Sequence, residues 1–172
     1  ARQLELLNDC GVRRADLVVG YEADRIVEEV AMLTLRPEIA FHYNPCFEQG
    51  STISLRAAYE TLTAGDDVLL LDADVLCHPA VLETLANTAV ENCFLLDRVF
   101  EPGEEPVKIA VKSGTMIEFR KQLPPRLDYD FLGESVGLFR FGQDAARRIA
   151  ERCATLEADG LADSPHEEVL RA

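Results

Sequence analysis

"DVLLLDADVL", Asp67–Leu76, decides how this chain is read. Val68–Leu71 is an unbroken apolar run, the pattern of a strand buried on both faces at the centre of a parallel sheet. It ends in two carboxylates one residue apart, Asp72 and Asp74, before Val75 and Leu76 resume the apolar character. A charge beside a core is costly without a partner. If the strand persists through residue 74, both carboxylates share a face, since residues i and i+2 do. Two acids on one face repel unless a cation relieves them. Mg²⁺ suits such a place, because it takes one or two protein carboxylates and completes its shell with water and phosphate oxygens. In open α/β sheets ligands gather outside the carboxyl ends of the strands. An Asp that caps the following helix, or pairs with a lysine, explains the same residues. From Asp-x-Asp alone both readings stand.

Outward from this strand, apolar periodicity alternates between two and 3.6. "DLVVGY" (16–21), "IAFHY" (39–43) and "NCFLLD" (92–97) read as strands. Between them "EADRIVEEVAML" places Ile26, Val27, Val30 and Leu33 on one helical stripe. "STISLRAAYETL" does the same with Leu55, Tyr59 and Leu62, and "HPAVLETLANTA" opens a helix with Pro79 in its first turn. "VKIAVKSGTMIEFRK" reads as a hairpin about Ser113-Gly114. "GESVGLFRF" is a strand whose alternation is obscured by glycine, and "QDAARRIAERCATL" a helix. Helices bracket the whole, with Leu4 and Leu7 at one end and "SPHEEVL" at the other. Strands alternating with helices, then a hairpin, predict one α/β domain. Its mostly parallel open sheet is covered by helices on both faces and carries an antiparallel addition.

Composition narrows the function. At 172 residues the chain holds one full core. A net charge of −14 argues against a nucleic-acid surface, which needs Lys and Arg to neutralise phosphates. No stretch reaches the ~18 apolar residues of a membrane span. The five cysteines are odd in number, widely spaced and without a CxxC, so reduced thiols and a cytoplasmic home are expected. His42, His78 and His166 show no metal spacing and read as structural, and Asp9, Asp16 and Asp24 as solvated ends of elements.

Taken in order, "RQLELLNDCGVRRADLVVGYEADRI", "NPCFEQGSTISLRAA", "VLLLDADVL", "VKIAV…IEFRK" and "GESVGLFRF" resemble the nucleotidyltransferase superfamily, nearest its CTP:phosphocholine cytidylyltransferase-like branch. The resemblance implies a Rossmann-like fold of the nucleotide-diphospho-sugar transferase type. It implies attack of a substrate phosphate on the α-phosphorus of an NTP, here CTP, with Mg²⁺ as cofactor and a phosphorylated alcohol such as phosphocholine as acceptor. By this resemblance Asp74 is the metal ligand and Asp72 a second or supporting one. Gly50, Ser51 and Thr52 face the base, Lys108 and Lys121 offset phosphate charge, and Glu134 stands at the acceptor end. For a cationic acceptor, Tyr129 or Phe131 would add an aromatic face.

The family also opens on a strand and a Gly-rich, basic loop that cradles the triphosphate, and carries a further acidic ligand near its C-terminus. Neither has a counterpart in these residues; Glu167 and Glu168 match an acidic helix start instead. The resemblance therefore implies a domain incomplete at both ends and inactive alone. Blander roles compete: Ser51 or Thr52 as helix caps, the two lysines as solvated charges, Glu134 paired with Arg140. A glycosyltransferase using Asp-x-Asp and a non-catalytic nucleotide-sensing module are the alternatives to nucleotidyl transfer.

Overall fold

The computed structural model describes residues 1–35, 37–101 and 103–171. In chain order the elements are α1 (Arg2–Asp9), β1 (Arg14–Val19), α2 (Ala23–Ala31), β2 (Glu38–Tyr43), α3 (Ser51–Ala57), α4 (Tyr59–Leu62) and β3 (Val68–Leu71). Then follow α5 (Pro79–Asn87), β4 (Cys93–Asp97), β5 (Lys108–Lys112), β6 (Thr115–Arg120), β7 (Phe131–Phe141), α6 (Gln143–Ala158) and α7 (Glu167–Leu170). The sequence signals act where expected. Pro79 is in the first turn of α5, whose Ala80 N–H donates to the His78 ring. Ser113 and Gly114 both take positive φ, as a tight hairpin turn requires. The helix expected over 51–62 is interrupted at Ala58, giving α3 and α4.

β1 and β2 form a parallel pair, from Arg14 opposite Glu38 to Val19 opposite Tyr43. The second sheet is organised by β7, the longest strand. β3 pairs antiparallel with its Leu138–Phe141 end and β5 with its Phe131–Glu134 end. β4 pairs antiparallel with β7 as well. Phe139 and Arg140 face β3 and β4 at once, so these two lie on opposite edges of β7. Being antiparallel to the same strand, β3, β4 and β5 run in one direction. β6 returns beside β5 as the hairpin. An exposed ion pair, Arg13 Nη2 to Asp66 Oδ1 at 3.7 Å, joins the residues just before β1 and just before β3. Their amino ends are thus neighbours. This is the Rossmann-like α/β arrangement the alternation predicts.

Two apolar clusters cover the two faces. Leu69 and Leu71 of β3 pack with Ala15 and Leu17 of β1 under Leu4 and Leu7 of α1 and Leu82 of α5. Val68 and Leu70 point the other way, to the cluster holding Leu55, Leu62, Phe139, Phe141 and the Ala146, Ile149, Ala150, Cys153, Leu156 stripe of α6. There Phe94 meets Phe119, Phe139 and Phe141 edge-on at 5.0–5.7 Å. Such pairs add about 0.5–1.5 kcal/mol each beyond the area they bury. β3 is covered on both faces as expected, yet all four of its residues are only half-buried.

Candidate functional site

β3 stops at Leu71, so Asp72 and Asp74 do not share a strand face as the unbroken reading required. Asp72 makes one more ladder bond, N–H to Gly137 O at 2.9 Å, and the chain then turns, Val75 N–H reaching Asp72 O at 3.4 Å. Gln3 of α1 fastens the turn, its Nε2 donating to Asp72 O and Val75 O, both at 2.7 Å. The break has a cause in β7. Gly137 has φ +69°, and a Cβ there would lie 2.4 Å from Asp72 Oδ2. The carboxylate rests directly on the glycine, a contact only a residue without a side chain permits.

The surroundings of Asp72 are short of positive charge. Burial pushes its carboxyl above its ordinary pKa; His166 opposes that, while Asp74 and Glu167 push the same way. Asp74 is exposed and Glu167 buried. A half-buried acid crowded by two others is a setting a divalent cation relieves. Among the described residues no group of three or more His, Cys, Asp and Glu side chains is placed to hold a metal ion by itself. Asp72 and Asp74 are two carboxylates, so a Mg²⁺ held by them would need water and phosphate oxygens to complete its shell.

Ser51, at the start of α3, lines the same cavity as Asp72. Ser51 Oγ accepts from the His166 backbone N–H at 2.7 Å and lies 3.0 Å from His166 Nδ1. Thr52 is 1% exposed; its N–H donates to Ser164 O at 3.2 Å and its Oγ1 to Pro165 O at 3.3 Å. Gly50 abuts Asp163, whose carbonyl oxygen would stand 1.9 Å from a Cβ at that position. The 163–166 segment thus straps the helix start. It takes up Gly50 and Thr52, the first and third of the expected base contacts, and holds the exposed Ser51 through His166. Thr52, enclosed under the strap, does not open to a base in this conformation.

Ser51, Asp72 and His166 come together in the wall of a cavity of about 1420 Å³. Of the remaining expected residues, Glu134 is in β7, Lys108 in β5 beside it, and Lys121 just after β6. Lys108 is opposite Glu134, and Glu134 is opposite Asp97 across the other edge. Lys108 enters the ladder three residues along β7 from Gly137, about 10 Å at strand rise. Its ammonium donates to Gly103 O and Lys121 O at 2.7 Å and to Pro106 O at 3.3 Å, so it ties the preceding loop. Lys121 pairs with Glu105 at 3.0 Å. Arg140 pairs with Asp67 and not with Glu134. Arg98 already covers the ring of Phe131, 4.4 Å from its centroid, while Tyr129 is exposed.

Sequence reasoning misread Asp16 and did not foresee the neighbours of two other residues. His166 and Glu167 are brought to Asp72 by a fold-back of the chain across α3, which no local pattern announces. Asp16 is no solvated strand end: its side chain is 9% exposed and central in β1. It accepts from Arg14 twice at 2.8 Å and from Thr61 Oγ1 at 2.9 Å, and faces His42 Nε2 at 2.7 Å. These bonds overcome burial and bring its pKa down to about 2.

Known structures share this fold. The chain is similar to the inositol-1-phosphate CTP transferase from T. maritima, with 20% identity and a TM-score of 0.66, covering 94% of this chain and 62% of that one. It is similar to a protein described as a glucose-1-phosphate thymidylyltransferase from Bacillus anthracis (14%, TM-score 0.67, 95% and 65% covered). It is also similar to the CTP:phosphocholine cytidylyltransferase from Streptococcus pneumoniae (13%, TM-score 0.58, 98% and 68% covered). No family model matches the sequence, nor does any curated protein. At these identities the likeness defines the fold, which is that of the nucleotidyltransferases. The chain spans less than two thirds of the T. maritima protein.

Proposed function

We propose that this chain is the core of a Mg²⁺-dependent nucleotidyltransferase. It would move a nucleotidyl group, cytidylyl by our reading, from an NTP to a phosphorylated alcohol such as phosphocholine. An oxygen of the acceptor phosphate attacks the α-phosphorus, the bond to the β-phosphate oxygen breaks, and pyrophosphate leaves. The observation that carries the reading is Asp72, half-buried and crowded by Asp74 and Glu167 at the carboxyl end of a strand covered on both faces, on a fold shared with enzymes named for this chemistry.

Asp72 and Asp74 would hold the Mg²⁺, which when bound offsets the charge of triphosphate oxygens. Gln3 fixes the backbone of their turn, so the turn is held in place before a ligand arrives. Ser51 offers a hydroxyl on the same cavity wall. Glu134 is assigned to a cationic acceptor headgroup, with Tyr129 as the free aromatic face. Lys108 and Lys121 remain candidates for phosphate only if they exchange their present loop and Glu105 partners. No helix among the described residues is long and apolar enough to cross a membrane; a cytoplasmic home is part of the proposal.

The test is pyrophosphate release by the full-length protein with Mg²⁺, each NTP and a panel of phosphorylated alcohols and sugars. Release with CTP and one phospho-alcohol is expected. Release of a free nucleoside diphosphate from a sugar nucleotide would instead favour glycosyl transfer, and nucleotide binding without any turnover a sensing module.

A further inference from the structure

We infer that the outer edge of β2 is where two copies of this chain pair, β2 against β2, antiparallel about a two-fold axis at Phe41. The inference stands apart from nucleotidyl transfer and rests on the strand's edge and its sequence.

Among the described residues β2 pairs with β1 alone. Glu38 N–H donates to Arg13 O at 2.9 Å and Asn44 N–H to Val19 O at 2.8 Å. With period two, Glu38, Ala40, His42 and Asn44 turn their peptide groups to β1, while Ile39, Phe41 and Tyr43 turn theirs outward. The side chains of these three share one face of the strand. Ile39 packs against the apolar cluster under α1, but Phe41 is 36% and Tyr43 63% exposed. Proteins blunt such edges with charges, bulges or a covering element. The outer strand of the other sheet, β6, is treated in this way: its Arg120 and Glu118 pair with Glu168 and Arg171 of the α7 region at 3.8 and 3.5 Å. On β2 the one carboxylate, Glu38, is at the first residue, and the ladder with β1 is regular throughout.

The edge fits a second copy of itself. Pro37 and Pro45 bracket β2 at equal separations from Phe41. A proline has no N–H to give, so each marks where outward pairing stops. Centred on Phe41, antiparallel pairing sets Ile39 opposite the second copy's Tyr43, Phe41 opposite its counterpart, and Tyr43 opposite the second copy's Ile39. Every outward N–H then meets a carbonyl. Aromatic and β-branched side chains meet on one face, a favourable class of cross-strand pair. Glu38 falls opposite Asn44, so no two acids meet along the ladder even though the chain carries a net charge of −14. Centring the pair on Ala40 would set Tyr43 against Pro37, and centring it on His42 would set Ile39 against Pro45; either loses a bond at each end. The match is to the strand's own sequence, as a closed two-fold contact requires, and this favours a second copy over a foreign strand.

The test is sedimentation equilibrium of the full-length protein over a dilution series, where a reversible dimer is expected. Phe41→Lys brings two ammonium groups together on the axis and should weaken the dimer by about tenfold or more. Phe41→Glu should do the same with two carboxylates. An equal mixture of the two variants should recover a heterodimer, because opposite charges then meet. The Phe41 side chain is exposed, so both variants should keep the wild-type fold, which circular dichroism checks. Amide exchange on the wild type gives a reading free of substitutions: Ile39, Phe41 and Tyr43 should slow as concentration rises, whereas Ala40 and His42, bonded to β1, should not change. A protein that is monomeric throughout, a dimer indifferent to both Phe41 variants, or outward amides that exchange alike at every concentration would overturn the proposal.

Discussion

Asp16 and Asp72 are both aspartates set against the apolar strands of one sheet system, and they have opposite fates. Asp16 is surrounded by donors from Arg14, Thr61 and the His42 ring, and its pKa falls to about 2. Asp72 is surrounded by acids, with one histidine against them, and its pKa rises. The first carboxylate is complete and ties β1, β2 and α4 together. The second is left with charge that the protein does not neutralise, beside a cavity. By the proposed function, the first acid belongs to the scaffold and the second serves a ligand.

The comparison can be broken most forcefully at Asp74 and Asp72. Asp74→Ala and Asp72→Asn should each lower nucleotidyl transfer by about 10²-fold or more, given that groups merely supporting a metal ligand already account for 10–100-fold. Asp72→Asn should at the same time leave the fold as stable or slightly more so, because it removes a charge the site disfavours; urea unfolding checks this. Unchanged turnover would return both carboxylates to a capping role. Gly137→Ala comes next. Its Cβ would strike the Asp72 carboxylate in a left-handed backbone, so activity should fall about tenfold or more through misplacement, with a stability loss of about 1–3 kcal/mol from strain. Asp16→Asn should do the reverse of Asp72→Asn: turnover retained, stability lowered by about 1–2 kcal/mol after allowance for solvent screening.

The smallest effect is in the pH dependence. Asp16 has a depressed folded pKa, so its stabilisation is present above the ordinary value of 3.8 and is lost as pH falls towards about 2. Asp72 has a raised one, so its ionisation weakens the fold as pH rises through its folded value. Unfolding midpoints of the wild type and Asp16→Asn should therefore converge at acid pH, whereas those of the wild type and Asp72→Asn should differ more at neutral pH than at acid pH.

The fold was legible because its signals are local. The Val68–Leu71 run, Pro79 in the first turn of α5, the Ser113-Gly114 turn and the helix over "QDAARRIAERCATL" each act within a few residues. Asp72 and Asp74 were legible for the same reason, standing where an apolar strand ends. The fold-back that carries His166 to Ser51 was not, since contacts across 115 positions leave no periodic trace. Nor was the role of Gly137, which disturbs the alternation of β7 and acquires its reason only when Asp72 is laid upon it. Asp16 looked like a solvated end because its three partners come from three separate elements. Lys108 looked ready for phosphate because sequence cannot show that three carbonyls occupy its ammonium.

The most direct test is a pH titration of the aspartate carboxyl carbons by NMR, with and without Mg²⁺ and CTP. The account predicts that Asp72 titrates above the ordinary aspartate range when free and drops sharply when Mg²⁺ and nucleotide are added, while Asp16 stays near 2 in both. An Asp72 that titrates as an ordinary surface acid and ignores the metal and nucleotide would contradict it, and the strand-end carboxylates would then be part of the scaffold like Asp16.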